Sequence, residues 1–147
     1  MIKKVAFLIL FATTLFVSCC RFDDVVTAPV ITSCNKMAIV DTNRFNQTPT
    51  NNYAITNVVL NGDCLEVTIS SSGCDPNNWD MNFIASENVM ESFPVQRSAK
   101  VQLVNDEACL AVFQKTISFD LIPLRVQGQN QVQIHLQGWS TSIMYQY

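Results

Sequence analysis

From Tyr53 onward, hydrophobic and polar residues alternate with a period of two. Leu65, Val67 and Ile69 fall on one side of an extended chain and Glu66, Thr68 and Ser70 on the other, the pattern of an antiparallel strand with one wet face. Ala54 to Leu60 and Cys64 to Ser70 flank Asn61-Gly62-Asp63. An Asn-Gly pair suits a type I′ turn, whose two central residues both take positive φ, so these runs predict a hairpin. Trp79, Met81, Phe83 and Ala85 alternate with Asp80, Asn82 and Ile84, and Ala99, Val101 and Leu103 with Lys100 and Gln102. Glu87 to Pro94 reads as irregular, because proline cannot donate to a sheet ladder. Cys109 to Gln114 and Thr116 to Leu121 read as two further extended runs, interrupted by Pro123. A last hairpin is expected to turn at Gly128-Gln129-Asn130. Beyond it Val132, Ile134 and Leu136 point inward, while Gln131, Gln133, His135 and Gln137 point out.

Upstream, Met37 to Val40 suggests a short strand and Asp41 to Asn52 a polar loop. No segment of this part shows a capped 3.6-residue period. Short strands separated by turns predict an all-β protein with a single antiparallel β-sandwich or barrel-like domain. Its expected core is Leu65, Val67, Ile69, Phe83, Val101, Leu103, Phe113, Phe119, Leu121, Ile134 and Leu136.

The first residues follow a different pattern. Lys3 and Lys4 precede Val5 to Val17, a charge-free run too short for the roughly 20 apolar residues of a bilayer-spanning helix. It fits the apolar part of a secretory signal. Phe16 is too large for an ordinary cleavage site before Cys19, whereas Leu15-Phe16-Val17-Ser18-Cys19 resembles a lipobox, in which the Cys sulfur takes a diacylglyceryl group. Two acyl chains suffice for stable anchoring. Cys20 is the alternative acceptor. The chain is therefore expected to divide into a lipoprotein signal at 1–18, a lipidated tether at 19–33 and a disulfide-stapled β-domain at 34–147. Asp23 and Asp24 resemble the export signal of surface-exposed Bacteroidetes lipoproteins, which implies an outer-membrane location facing outward.

Removing the signal changes the charge balance. The 147-residue chain carries 9 basic and 12 acidic residues; without Lys3 and Lys4 the mature part has 7 against 12, or −5. No basic cluster remains, so nucleic acid is not an expected partner. Asn, Gln, Thr and Ser dominate 42–52 and 127–133, as suits a weakly charged extracellular surface.

An oxidising compartment permits disulfides. With Cys19 lipidated, Cys34, Cys64, Cys74 and Cys109 belong to the domain, and four cysteines allow three pairings. Cys74 in a turn-rich loop and Cys109 just after a turn favour Cys74–Cys109, which leaves Cys34–Cys64. Closing the former loop is worth about 3 to 4 kcal/mol in the chain-entropy description. Cys20 is then left over beside the anchor. A metal site is not expected, because the four cysteines lack the close pairs of zinc ligands and His135 is the only histidine.

Catalytic chemistry has few candidates. His135 sits among glutamines on the polar side of a strand, and no Ser lies in a Gly-x-Ser-x-Gly elbow. Asp75, Asp80, Glu87 and Glu91 are the carboxylates from which a glycan-acting enzyme would draw an acid–base pair, which needs about 5 to 10 Å of separation. Asp75 to Asp80 also offers oxygens for calcium, but lacks the Gly and the distal Glu of an EF-hand loop. Ser71 to Asn78, held by Cys74, is the one segment suited to a protease-inhibiting loop. No cofactor is implied, since no phosphate-cradling loop is present.

Asn61-Gly62-Asp63-Cys64-Leu65-Glu66-Val67, Ser72-Gly73-Cys74, Met90-Glu91-Ser92-Phe93-Pro94, Glu107-Ala108-Cys109, Ser118-Phe119-Asp120-Leu121 and Leu136-Gln137-Gly138-Trp139 resemble a group of small uncharacterised, flavobacterial-type Bacteroidetes lipoproteins over roughly residues 53–139. The resemblance implies Cys74–Cys109 as the main bridge and confers no activity. Members tend to carry a His soon after the first loop Cys, where this chain has Asp75-Pro76-Asn77-Asn78-Trp79. The leading expectation is a lipid-anchored cell-envelope protein acting as a binding or structural module, with an envelope protein or glycan as partner.

Overall fold

A computed structural model describes residues 33–147; the expected signal, Cys19, Cys20, Asp23, Asp24 and the tether up to residue 32 lie outside the described residues. Two mixed sheets face each other. Sheet A contains β1 (Lys36–Met37), β7 (Ala111–Asp120), β4 (Cys64–Gly73) and β3 (Ala54–Asn61), in that order. Sheet B contains β2 (Ile39–Val40), β5 (Asp80–Met90), β6 (Val95–Val104), β8 (Gln131–Leu136) and β9 (Ile143–Gln146). The β-sandwich expected from the alternation is present, without a closed barrel. It is not purely antiparallel, because β1–β7, β2–β5 and β6–β8 pair in parallel. The physical reason is connectivity. Lys36 to Val40 is one extended segment that starts on sheet A and finishes on sheet B, and the chain crosses to sheet A for β7 between β6 and β8.

Alternation sets the core. Leu65, Val67, Ile69 and Phe119 from sheet A meet Met81, Phe83, Val101, Ile134 and Tyr145 from sheet B. Phe83 and Phe119 touch across the interface with ring centroids 5.7 Å apart. Every residue of the expected core is buried except Phe113, which is half-buried toward the open edge of β7. Arg97 shares this inward phase on β6 and is buried. Its guanidinium donates to the carbonyls of Ser86 (2.9 Å) and Glu87 (3.3 Å), at the register shift in β5 between Ala85 and Val89. Residues 87–90, expected to be irregular, are thus strand, with the irregularity confined to that bulge.

Other local expectations shift for identifiable reasons. Asn61 pairs with Cys64, so the β3–β4 turn is Gly62-Asp63, and only Gly62 has positive φ (+57°). That matches a turn with Gly in the first central position better than the expected Asn-Gly type I′ turn. The slip places Asp63 where the Tyr145 hydroxyl donates to it at 2.5 Å and Arg125 at 2.7 Å. Those two donors hold the Asp63 carboxyl below its ordinary pKa. Gly128 to Asn130 lies in the crossover from sheet A to sheet B rather than in a hairpin; β8 turns instead into β9. The two runs expected over 109–114 and 116–121 are a single strand, β7 (Ala111–Asp120), unbroken at Lys115.

The polar loop after β2 contains a helix, α1 (Thr42–Gln47), capped by Asp41, whose carboxylate accepts from the Arg44 N–H at 2.9 Å. The helix packs on the outer face of β5, and Ile84, outward by phase, is fully buried there. Lysines stand at the unpaired stretches of β7 and of the start of β5. Lys115 donates to the Trp79 carbonyl at 2.5 Å, and Lys36 binds Asp80 and the Met81 carbonyl. Inward-turned lysines of this kind blunt edge-to-edge association. Phe119→Ala, which empties the centre of the inter-sheet contact, is expected to destabilise the protein by about 3 to 5 kcal/mol, read from the shift of its denaturant midpoint.

Candidate ligand-binding cleft

The residues singled out for chemistry do not converge. Cys34 is bonded to Cys64 and Cys74 to Cys109, with Cα–Cα separations of 5.5 and 5.0 Å. Asp75 caps a 3₁₀ turn (Pro76–Asn78) through the Asn77 N–H, and Asp80 is paired with Lys36 and Asn82. Glu87 lies in the last part of β5 and Glu91 just past its end, more than about 20 Å from Asp80 at the rise of an extended chain. No acid–base pair spans that distance. Among the described residues no three His, Cys, Asp or Glu side chains are grouped to hold a metal. The candidate inhibitory segment is not an extended loop: Ser71 to Gly73 belong to β4, and the rest is folded onto the domain.

A residue to which the sequence pattern gave no chemical role does this folding. The Glu107 carboxylate accepts from the N–H groups of Cys74 (2.7 Å) and Asp75 (3.1 Å), the Asn78 amide (2.9 Å) and the Trp79 indole (3.1 Å). A Cβ on Gly73 would stand 2.6 Å from the same carboxylate and 2.7 Å from the indole nitrogen, so this close approach requires glycine. The Asn78 and Asp75 hydrogen bonds lead in drawing the Glu107 pKa from 4.5 down to about 2. Every acceptor site of the carboxylate is directed at the loop, which makes Glu107 a structural anion beside the Cys74–Cys109 bridge.

The candidate site lies on the outer face of sheet B. Along β6 the outward positions are Gln96, Ser98, Lys100 and Gln102. Parallel pairing sets Ser98 opposite His135 of β8, so the two side chains stand together on that face. His135 Nε2 lies 2.6 Å from Gln96 Oε1. The amide oxygen can only accept, so Nε2 carries the hydrogen and Nδ1 of the neutral ring is left as an acceptor. An amide is no substitute for the carboxylate of a catalytic triad, which must stabilise an imidazolium.

Two aromatics wall the face. Phe45 comes from α1. The Lys100 ammonium fixes it by donating to the Phe45 (2.9 Å) and Thr48 (3.2 Å) carbonyls and sitting 4.5 Å from the Phe45 ring centroid. A cation at a helix C-terminus is favourable, and the ring adds a cation–π contact. Trp139 comes from the β8–β9 turn, whose Gly138 takes φ +89° and backs onto Ile55 of sheet A. Both aromatics line a cleft of ≈ 250 Å³, together with Ser98 and His135 of the paired strands and Gln137, Ser140, Thr141 and Ser142 of the turn. No Lys, Arg, Asp or Glu lines it. The sequence placed His135 and Gln137 outward correctly. It held no sign of Phe45 or of the 140–142 rim, because the helix and the turn acquire their positions from tertiary contacts.

No family model and no curated protein matches the chain. Among solved structures it resembles a protein of unknown function, DUF1344, from Bacteroides vulgatus, at 12% identity and a TM-score of 0.51 over 76% of this chain and 56% of the other. It also resembles a provisionally described toxin-related protein from Parabacteroides distasonis, at 13% identity and a TM-score of 0.46 over 76% of this chain and 60% of the other. The chain therefore spans a little over half the length of these proteins. The first likeness extends to the fold alone.

The acid sensitivity of the Glu107 network follows from its sign. A folded pKa near 2 against an ordinary 4.5 contributes stability that is present above about pH 4.5 and lost as pH falls toward 2. Urea unfolding between pH 5 and pH 2 is expected to show a shallower acid loss for Glu107→Gln than for the wild type; superimposable profiles would mean the carboxylate is not engaged.

Proposed function

We propose that the chain is a lipid-anchored cell-envelope protein that binds a ligand rather than transforming one, and that the cleft on sheet B is its binding site. The observation that carries this reading is a preformed cleft combining two aromatic walls with hydroxyl, amide and imidazole groups, set on a disulfide-stapled sheet. Binding sites have this character: apolar walls with a few placed polar groups on a rigid support. Two disulfides favour an oxidising compartment. The segment ending in Ser18-Cys19 supports lipidation there, and Asp23 and Asp24 support exposure at the outer membrane.

Two measurements test the two halves. Cys19→Ser is expected to abolish incorporation of labelled palmitate by the expressing cells, while Cys20→Ser preserves it; the opposite pattern moves the anchor to Cys20. For the site, the full lipidated chain in detergent is incubated with separated polysaccharide and protein fractions of the envelope. At least one fraction should slow amide hydrogen exchange in residues 137–142. If every fraction leaves that turn unchanged, the cleft is not the binding site.

A further inference from the structure

Resting on the assignment of the cleft as the binding site, we infer that its ligand is an uncharged saccharide, one ring of which lies between Phe45 and Trp139. The lining excludes the other ligand classes in turn. A charged ligand would meet no counter-charge: no Lys, Arg, Asp or Glu lines the cleft. The Lys100 ammonium, outward on β6 two residues from Ser98, is already bonded to two carbonyls and the Phe45 ring. Burying an unpaired charge there is costly. A lipid chain would leave the serine and threonine hydroxyls and the Gln137 amide desolvated without partners, which is also unfavourable. A peptide bound by β-augmentation needs free main-chain groups at a sheet edge. The floor here is the face of two paired strands, β6 and β8, whose main-chain groups are committed to the ladder.

A neutral sugar satisfies the same lining. Its C–H face suits the electron-rich face of an aromatic ring, which Phe45 and Trp139 supply. Its hydroxyls both donate and accept, and so do the groups around it: Ser98, Ser140, Thr141 and Ser142 through hydroxyls, Gln137 through its amide. Among the described residues, none is hydrogen-bonded to the side chains of Ser98, Gln137, Ser140, Thr141 or Ser142. His135, oriented by Gln96, adds an acceptor. The volume of ≈ 250 Å³ is below the roughly 300 to 1,000 Å³ of sites for larger ligands, as expected where one ring is gripped and the remaining units extend into solvent.

The test is a printed array of neutral and acidic glycans probed with the full lipidated chain in detergent, followed by Trp fluorescence titration of the retained glycans. Trp79 is buried, so a change in emission on binding reports Trp139. Neutral oligosaccharides should be retained in preference to uronate-containing or sulfated ones. Trp139→Ala should weaken binding at least about tenfold, the loss of one aromatic stacking contact. Because Trp139 packs partly against the core, Ser98→Tyr, which fills the floor from an outward position, should abolish binding in a chain whose unfolding midpoint is unchanged. Gln114→Ala, outward on sheet A, should bind as wild type. Retention of acidic glycans alone, binding unaffected by both cleft variants, or an empty array overturns the proposal. An empty array together with exchange protection of 137–142 by an envelope protein fraction overturns the saccharide and leaves the cleft; no protection by any fraction removes both.

Discussion

Alternation along β6 separates the two faces on which this molecule is built. Its inward residues, Val95, Ala99, Val101 and Leu103, pack in the sandwich, and Arg97, in the same phase, stabilises the bulge of the neighbouring strand. Its outward residues organise everything on the other side. Gln96 orients His135, Ser98 floors the cleft, Lys100 binds the end of α1, and Gln102 receives Arg44 from the same helix at 2.6 Å. A one-residue slip of this strand would exchange the two sets, burying a lysine and exposing the core. Register on β6 therefore sets both stability and the composition of the site.

The two ends of the domain are fixed by unlike means. At one end, the Cys74–Cys109 bridge and the Glu107 carboxylate fold a polar loop onto Trp79. At the other, Cys34–Cys64 lies beside the Asp63–Tyr145–Arg125 cluster, which ties the β3–β4 turn to the C-terminal strand. Burial, with the hydrogen bond to Asp63 adding to it, raises the Tyr145 hydroxyl to about 12, so it remains a donor throughout the neutral range. Neither end resembles a reactive centre. At both, Glu107 and Asp63 are directed at partners within the protein, whereas among the described residues the Ser98, Gln137, Ser140, Thr141 and Ser142 side chains of the cleft have no hydrogen-bond partner.

Much of the fold is legible in the residue pattern, and the reason is the strictness of the two-residue period. Leu65, Val67, Ile69, Val132, Ile134 and Leu136 lie where alternation places them. The pattern misleads where a third layer covers a sheet: Ile84 is outward by phase yet buried beneath α1. Six residues are too few for a helical period to declare itself, and α1 depends on Lys100, 52 positions or more away in sequence from the carbonyls it binds. Strand order escapes the pattern as well, since alternation is identical in parallel and antiparallel ladders. The site suffers most. His135 is visible as an outward residue, but its meeting with Ser98, Phe45 and Trp139 depends on the parallel pairing of β6 with β8 and on a helix that the sequence disguises as loop.

Occupancy of that cleft by a neutral ring is what the proposed activity requires. The most direct measurement is the structure of the full chain in complex with a neutral tetrasaccharide retained on the array. One sugar ring is expected between Phe45 and Trp139, with hydroxyls hydrogen-bonded to Ser98, His135 or Gln137. A saccharide bound at the Cys74–Cys109 end or along the open edge of β7, with the cleft filled only by solvent, would contradict it.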